Sequence, residues 1–454
     1  MARSTAGQPV QPKTGGNLIA SAFGFFVLGC FVALYLADRD LYLPVLRLWA
    51  FQPFRYPFID IEWFGAVHAC LRQGVDVYVS NPCDELGRPF NYSPAWLWMS
   101  FWPASRDWTN PLGLLFACAL ALSFTMLPRP RQRIDYGPVL LGIVSPMTLY
   151  AAERANIDVM IFVWVLWAVW LIERGGWLGL PGYAMILAWG VLKFYPFVAM
   201  ILALRERVRP AAWLLVLTVT VACGFLWIYH AELVRIAPNI PQPSIFTASG
   251  AVQLPLGFGS FLRYAFASFG VGGPVAGQLA DSRFLVTGIF VALLYWFPMR
   301  GGSRLAGRPD LRIALDRLTE MERLALVAGA ALVFGCFIIG RNSGYRQIHM
   351  LLLIPGLLAL VRSSPGGALA RTCRRAVAAA LFLMWFPIPM QWLNDRFRSP
   401  ADGGSLPTWA FWIGRELIWW WFAAVLAGIL MRFAGESPVW AAVTGRWVRP
   451  AADK

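Results

Sequence analysis

Charged residues are scarce in this sequence. Asp, Glu, Lys and Arg make up 14% of its 454 residues, whereas an average soluble domain carries about 25%. So little charge cannot cover a water-facing surface, which excludes an ordinary cytosolic enzyme and a disordered chain. Hydrophobic residues make up 58% of the chain and gather in runs long enough to cross a bilayer. The composition therefore predicts a polytopic membrane protein embedded in a lipid bilayer.

Histidine and cysteine are also rare. The three His lie in separate segments, and the seven Cys include no CxxC pair, so the sequence offers no spacing typical of metal ligands. We therefore assign no metal ligand and no certain cofactor, and leave a divalent metal ion open. Only Cys70 and Cys83 share an extramembrane stretch. A disulfide between them requires an oxidising compartment, and the sequence leaves this bond open.

Acidic residues are outnumbered by basic ones, 24 against 39, which gives a net charge of +15. Such an excess often indicates nucleic-acid binding, but the cytoplasmic loops of membrane proteins are also rich in Lys and Arg. Because the chain is so apolar, we favour the second explanation and predict no nucleic-acid partner. The arginines cluster in residues 129–133, 205–209, 300–323 and 362–375 and in the C-terminal tail.

Ten apolar runs predict full membrane spans. They cover residues 17–37, 112–127, 137–150, 157–172, 212–229, 284–297, 324–339, 348–361, 376–392 and 409–431. If every arginine-rich loop is cytoplasmic, both termini are cytoplasmic as well. The segments left on the outer side are then residues 38–110, 230–283, 340–347 and 393–408.

One further apolar run, residues 180–204, would begin and end on the cytoplasmic side. It is interrupted at Lys193 and Pro196, so we predict two half-helices that enter the membrane and return. The predicted fold is a single all-α domain over residues 1–454, an integral inner-membrane protein with about 10–12 transmembrane segments. Its external loops, residues 38–110 and 230–283, are too long to be simple connectors.

The first external loop contains the most informative acidic residues. The segment from Ile61 to Gln73 has the apolar spacing of an amphipathic helix and is followed by Gly74, which predicts a helix on the membrane surface. Asp60 would be its N-cap, and Glu62 would be an acid in its first turn. A capping position holds a carboxylate rigidly, so this structural role is compatible with catalysis.

Other polar groups stand beside apolar runs, where a charge is costly unless it is paired or functional. Residues 74–78 and 90–94 have the composition of turns and helix starts. Residues 153–158 predict a short turn, with a local ion pair between Glu153 and Arg154 and a helix that begins near Asp158.

Four basic groups depart from the expected distribution. Lys193 lies in the middle of an apolar segment, far from any surface that its ammonium group could reach. Arg341, Arg346 and His349 lie on the predicted outer edge, against the positive-inside trend, and indicate an anionic partner such as a phosphate. Together with the carboxylates, these groups suit either a transporter or an enzyme that acts on a lipid phosphate. In such an enzyme a carboxylate activates a hydroxyl and the cations stabilise the leaving phosphate.

The order of the motifs is similar to a known family. The relevant features are Asp60 after the first helix, Gly74-x-Asp76-x-Tyr78, Tyr92-Ser93-Pro94, Asn156-Ile157-Asp158, the segment from Leu192 to Pro196, and His349 before Leu-Leu-Leu-Ile-Pro355. Over residues 15–360 the chain resembles the GT-C glycosyltransferases that use polyprenyl-phosphate sugars, and it looks closest to glycosyltransferase family 87. That family includes mannosyl- and arabinofuranosyltransferases.

The resemblance implies a GT-C-like bundle and an inverting transfer of a sugar from a polyprenyl-phosphate donor to a glycolipid or glycan acceptor on the outer side of the membrane. Asp60 matches the catalytic base. Many members have Asp-Asp or Glu-x-Asp, whereas this chain has Asp60-x-Glu62; the order departs from the family, and Glu62 is kept as the alternative carboxylate. The remaining expected roles fall into two sets. The donor phosphate is assigned to Lys193, Arg346, His349 and Arg341, and the sugars to Asp76, Tyr78, Tyr92, Asn156 and Asp158.

The family's Gly-Asn reads Ala155-Asn156 in this chain, so the match is partial at that position. Two other functions are kept as alternatives. An O-antigen ligase or polymerase usually has its large external loop late in the chain, whereas the acidic loop here follows the first helix. A flippase or other transporter of lipid-linked sugars would favour polar residues through the full depth of the bundle and inverted repeats, and the sequence shows neither pattern.

Overall fold

The computed structural model describes residues 17–50, 54, 56–268, 282–364, 366–397 and 405–445. Over these residues the chain is helical, and its only β-type pairing is an isolated bridge between Ser249 and Asn342. The predicted all-α class is confirmed at this level. The structure is described below from the N-terminal helices onward.

The first part of the chain, up to residue 268, forms eleven described α-helices joined by short 3₁₀ segments. The helices are α1 (Leu18–Ala37), α2 (Arg39–Leu48), α3 (Ile59–Arg72), α4 (Thr109–Ser123), α5 (Tyr136–Ile143), α6 (Pro146–Glu153), α7 (Ile157–Arg174), α8 (Gly176–Lys193), α9 (Val208–Ile228), α10 (His230–Ile236) and α11 (Gln253–Ser268). The 3₁₀ segments are Pro94–Trp98, Arg106–Trp108, Phe124–Met126, Arg133–Asp135, Tyr195–Arg205 and Ala237–Asn239.

The second part of the chain forms nine described α-helices. They are α12 (Arg283–Leu294), α13 (Gly302–Ala306), α14 (Pro309–Asp316), α15 (Glu320–Ile339), α16 (Met350–Ser363), α17 (Ala368–Trp385), α18 (Pro387–Arg396), α19 (Leu406–Gly435) and α20 (Pro438–Thr444). A π-helical turn, Tyr295–Gly301, joins α12 to α13, and a 3₁₀ segment, Gly344–His349, leads into α16. At the start of α15, Thr319 and Glu322 form a reciprocal capping box.

Seven described helical segments are long and apolar enough to cross a membrane, and the number rises to nine if two bent pairs of helices each count as one span. This is fewer than the ten uninterrupted spans predicted. Several of these helices, α9 and α12 above all, leave most of their apolar side chains exposed or only partly buried. Exposed apolar surface on this scale favours contact with lipid, so the structure supports a multi-pass membrane protein.

The prediction of one continuous helix over residues 137–150 is wrong. The chain forms α5, breaks at Val144, and starts again as α6, where the hydroxyl of Ser145 accepts a hydrogen bond from the Thr148 N–H (3.3 Å). Pro146 is the first residue of α6, where its missing N–H does no harm, whereas in the interior of a helix it would break the hydrogen-bond ladder. A second corner follows at once, because α7 leaves α6 at 108°.

The predicted fold-back around Lys193 is present. Helix α8 ends at Phe194, whose φ of 59° reverses the chain, and the 3₁₀ segment Tyr195–Arg205 returns along α8. The Tyr183 hydroxyl donates to the Leu202 carbonyl (3.3 Å), which ties the start of α8 to the end of the returning segment. A Cβ on Gly190 would lie 2.4 Å from the Phe197 ring, so the two limbs pack closely there. That the pair re-enters a membrane stays a prediction.

Segments predicted to share the outer side contact one another at one end of the bundle. Three contacts join them: the Arg235–Asp76 ion pair, Asn239 Nδ2 to the Tyr78 carbonyl (2.8 Å), and the Ser249 N–H to the Asn342 carbonyl (2.9 Å). Gln391, at the end of the predicted span 376–392, also donates from Nε2 to the Arg47 carbonyl (3.1 Å). The arginine-rich segments contact one another elsewhere, through ion pairs between an arginine of one segment and an acidic residue in or beside another. The pairs are Arg131–Glu322 (2.5 Å), Arg205–Glu320 (3.2 Å) and Arg362–Asp135 (2.6 Å). We call these two regions the loop end and the arginine end.

Candidate functional site

The start of α3 is capped by backbone from a distant corner of the chain. Phe58 has a left-handed φ of 65°, its N–H donates to the Glu153 carbonyl (2.7 Å), and the Asp60 N–H donates to the Arg154 carbonyl (3.1 Å). Asp60 is therefore not the N-cap: it lies in the first turn. Because the α6–α7 corner satisfies these N–H groups, the Asp60 carboxylate is left for other partners.

Helix α3 is surrounded by protein on nearly all sides. Glu62 and His68 are buried, as are most of the apolar residues of the helix. The helix ends at Gly74, whose φ of 75° suits glycine. A disulfide joins Cys70 to Cys83 with a Cα–Cα distance of 5.8 Å, which answers the question left open by the sequence. The disulfide thus fastens the segment after α3 to the C-terminal end of that helix, about 15 Å along it from Asp60.

The Asp60 carboxylate accepts four hydrogen bonds. Arg154 approaches it in a bidentate manner (Nε–Oδ2 2.9 Å, Nη2–Oδ1 2.6 Å), Asn156 Nδ2 donates to Oδ2 (2.6 Å), and Arg88 Nη1 donates to Oδ1 (3.3 Å). The predicted ion pair between Glu153 and Arg154 is not formed, because Arg154 turns to Asp60. Burial alone would raise the pKa of Asp60, but the charges and hydrogen bonds of Arg154, Asn156 and Arg88 lower it below its usual value.

A second carboxylate, Asp158, lies at the start of α7 and is fully buried. Lys193 Nζ lies 2.9 Å from its Oδ1, and the Tyr195 hydroxyl donates to the same oxygen (2.6 Å). The Tyr195 oxygen is also 2.7 Å from His349 Nε2, and Arg346 Nε is 3.8 Å from Asp158 Oδ2. The fold-back places Lys193 and Tyr195 on either side of the reversal at Phe194, where both reach the start of α7.

Asn156 joins the two carboxylates. Its Nδ2 donates to Asp60, while its Oδ1 accepts from the Asp158 N–H (3.0 Å) and from Lys193 Nζ (3.5 Å). Lys193 Nζ also lies 3.5 Å from the hydroxyl of Tyr92. The result is one continuous charged network, made of Asp60, Asp84, Arg88, Tyr92, Arg154, Asn156, Asp158, Lys193, Tyr195, Arg346 and His349.

The charged network has more cations than carboxylates. Among the described side chains that these contacts join, four are cationic and three are acidic, counting Asp84, which lies 2.8 Å from Arg88. The side chains of Arg88 and Arg346 are 24% and 27% exposed, so part of this positive charge is accessible. Such an arrangement can bind an anion.

Three residues predicted for the site lie outside the charged network. Asp76 pairs with Arg235, whose guanidinium stacks over the ring of Tyr78 (4.6 Å to the centroid). Arg341 donates to the Pro243 carbonyl (3.1 Å) in the second external loop. Their predicted roles in sugar or phosphate binding stay predictions.

Glu62, the predicted second carboxylate, is also separate from Asp60. Residues two apart in a helix point in different directions, and Glu62 faces Arg106 (Nε–Oε1 3.1 Å) beside a small cavity. Burial and the nearby Asp84 raise the pKa of Glu62 to about 7, while Arg106 and Arg88 oppose the increase. The two carboxylates thus have opposite acid–base character.

Four members of the network were missed as functional candidates: Asp84, Arg88, Arg154 and Tyr195. Arg154 and Tyr195 lie inside motifs that were noticed, but a local ion pair was expected for the first and no role was assigned to the second. Each is close in sequence to a residue that was assigned a role, Asn156 and Lys193 respectively. This closeness could have identified both as candidates. Arg88 lies in a polar loop, where nothing in the local pattern indicates that it reaches the Ile59 carbonyl (3.0 Å) and Asp60.

Two cavities flank α6, the short helix that leads to Arg154. On one side is an apolar groove between α1, α4 and α6, which Leu149 and Glu153 line from α6. On the other side is a cavity of about 570 Å³ whose walls combine polar and apolar residues, with Met147 and Tyr150 contributed by α6. We call it the polar cavity, in contrast to the apolar groove. The Tyr150 hydroxyl accepts a hydrogen bond from Arg154 Nη1 (3.1 Å). The charged network lines neither space itself. It is linked to the groove through Glu153, the neighbour of Arg154, and to the cavity through the hydrogen bond from Arg154 to Tyr150.

No group of three or more His, Cys, Asp or Glu side chains that could hold a metal ion occurs within the described part of the chain, and metal dependence stays open. No protein-family model, curated protein or solved structure matches this chain.

Proposed function

We propose that this protein is a membrane glycosyltransferase that transfers a sugar, with inversion, from a polyprenyl-phosphate donor to a glycolipid or glycan acceptor. The observation that carries the proposal is the position of the charged network, with its carboxylates and excess of cations, between an apolar groove and a polar cavity. A donor with a long hydrocarbon tail and an anionic head needs an apolar space that ends at cations. An acceptor rich in hydroxyl groups needs a space lined by polar groups.

The donor tail would lie in the apolar groove. This groove reaches Phe58 and Glu153, which are close along the chain to Asp60 and Arg154. A phosphate at this end of the groove could bind Arg154 and Arg88, while Lys193 and Arg346 lie further along the same network. Charge-assisted hydrogen bonds from guanidinium groups to phosphate are among the strongest in proteins, and they would stabilise the polyprenyl phosphate as it leaves.

Asp60 would act as the general base. Its lowered pKa makes it a weak base while Arg154 and Arg88 hold it. A donor phosphate would compete for the same guanidinium groups, and the carboxylate would become more basic as it loses them. Asp60 would then accept the proton of the acceptor hydroxyl while that oxygen bonds to the anomeric carbon. The bond from this carbon to the phosphate oxygen breaks, and polyprenyl phosphate leaves with the electron pair.

The orientation of the site is also part of the proposal. The Cys70–Cys83 disulfide is typical of an oxidising compartment, which supports an extracytoplasmic loop end. The arginine end would then face the cytoplasm, in agreement with the positive-inside rule. On this basis the protein is an inner-membrane enzyme with its active site on the outer face and both termini in the cytoplasm.

The proposal is tested with purified protein in lipid nanodiscs and undecaprenyl-phosphate mannose, glucose or arabinofuranose as the donor. We expect one donor to be consumed when a membrane glycolipid extract is added as the acceptor, with one undecaprenyl phosphate released for each sugar transferred. Stable donors in every combination would contradict the proposal. Movement of an intact donor across a sealed vesicle, without transfer, would instead favour a transporter.

A further inference from the structure

We infer that the polar cavity binds the carbohydrate of the acceptor, an inference that rests on the proposed function. The cavity lies at the loop end of the bundle and is bordered by the 3₁₀ segment Gly344–His349, α18, α19 and α6. None of its lining residues was assigned a role from the sequence. The groups that face the cavity decide whether it suits a sugar.

The lining combines planar polar groups with aromatic rings. Gln347, Gln391 and Asn394 supply amides, each of which can donate and accept hydrogen bonds at the same time. Phe246 supplies a half-buried aromatic ring, whereas the ring of Phe386 is already stacked on Phe411 (5.1 Å) and lies under the Arg415 guanidinium (4.4 Å). Sugars present vicinal hydroxyl groups that pair with amides, and patches of C–H that pack on aromatic rings, so this lining matches a polyhydroxylated ligand.

The side-chain oxygen of Gln347 has no hydrogen-bond partner among the described residues. Gln347 lines the cavity and is only 8% exposed. Buried polar atoms are rarely left without a partner, because desolvation without a hydrogen bond is costly. A ligand hydroxyl in the cavity would satisfy this oxygen.

Two arginines also line the cavity. The Arg415 guanidinium donates to the carbonyls of Ile245, Phe246 and Ala248 and is paired with Glu416, whereas Arg47 is exposed at the end of α2. The feature that favours a sugar is the Gln347 oxygen. An acceptor oxygen needs a hydrogen-bond donor, which a sugar hydroxyl supplies and a fully ionised phosphate does not.

The cavity meets the charged network at Tyr150. This residue lines the cavity, and its hydroxyl is 3.1 Å from Arg154 Nη1, which belongs to the guanidinium group that binds Asp60. Gln347 is the neighbour of Arg346 in the same 3₁₀ segment. A sugar held by Gln347 and Tyr150 would therefore lie beside the proposed base, as an acceptor must.

Direct binding tests this inference. Mannotriose, maltotriose and arabinotriose are added in turn to the full-length protein in nanodiscs, and binding is followed by saturation-transfer-difference NMR. Undecaprenyl phosphate binding is measured in parallel by native mass spectrometry. We expect at least one trisaccharide to bind, and we expect Gln347→Ala and Gln391→Ala each to weaken it at least tenfold. Undecaprenyl phosphate should bind both variants as it binds the wild type.

The matched control is Gln132→Ala, an exposed glutamine at the arginine end, which should leave both affinities unchanged. If undecaprenyl phosphate binds but no trisaccharide does, or if both cavity variants bind the sugar normally, the inference is wrong and the proposed function stands. If the cavity variants lose undecaprenyl phosphate instead, the cavity belongs to the donor. If the wild type binds no undecaprenyl phosphate, the failure is that of the proposed function.

Discussion

The ion pairs of the charged network and those of the arginine end differ in how deeply they are buried. At the arginine end the pairs are partly exposed: the side chains of Arg323 and Glu320 are 35% and 29% accessible. In the charged network the paired side chains of Lys193 and Asp158 are 8% and 0% accessible. Exposed pairs contribute little to stability, and buried pairs often contribute no more than an apolar replacement would. The buried network is therefore better explained by function than by stability.

The largest expected effect is on the free energy of unfolding, and it should differ between a variant in the charged network and one at the arginine end. Lys193→Met should destabilise the protein by about 3–5 kcal/mol, because it leaves the buried Asp158 without its closest cation. Arg323→Met, the matched change at the arginine end, should cost about 0–1 kcal/mol. The free energy of unfolding in mixed detergent micelles measures both.

The double variant Lys193→Met, Asp158→Asn is the control for this comparison. Removing both charges should restore much of the stability that Lys193→Met loses, because no buried charge is then left unpaired. Equal destabilisation by Lys193→Met and Arg323→Met would mean that the charged network and the arginine end do not differ in the way described.

A smaller effect concerns anion binding. Arg346→Gln should weaken the binding of undecaprenyl phosphate about 10- to 100-fold, the usual loss for one charge-assisted hydrogen bond. Arg374→Gln changes an exposed arginine at the arginine end and should have no effect. Titration of each variant with undecaprenyl phosphate in nanodiscs checks this, and similar losses in both variants would point to non-specific attraction by positive charge.

A further effect concerns the pH dependence of stability. The pKa of Glu62 is raised from 4.5 to about 7, so the folded protein holds this proton more tightly than the unfolded chain does. Stability should therefore fall as the pH rises from about 4.5 to about 7 and then level off. Glu62→Gln should remove this part of the pH dependence. Unfolding curves of the wild type and the variant between pH 4.5 and 8 measure the difference, and parallel curves would contradict the raised pKa.

Local features of the structure could be predicted from the sequence. The first helix, the end of α3 at Gly74 and the reversal at Lys193 and Pro196 each depend on a few neighbouring residues: an apolar run, a glycine with positive φ, and a proline that cannot continue a helix. The candidate pair Cys70 and Cys83 also depends on a short separation, although the sequence could not decide whether the bond forms.

The arrangement of the site could not be predicted in the same way. Arg154 and Asp60 are 94 residues apart, and their contact depends on the break before Pro146 and the 108° corner that follows α6. Hydrophobic patterning reports which residues are buried but not which charges meet inside the bundle. For this reason Asp60 was assigned as the base, yet the two arginines that hold its carboxylate were not.

The most direct test of the central claim is the rate of sugar transfer by Asp60→Asn. The variant keeps the size of the side chain and removes the proton acceptor, so the transfer rate should fall by about 10²- to 10⁴-fold while undecaprenyl phosphate still binds. Asp107→Asn, the same change at an exposed position in the same loop, should transfer sugar at the wild-type rate. Near-normal transfer by a correctly folded Asp60→Asn protein would show that Asp60 is not the base.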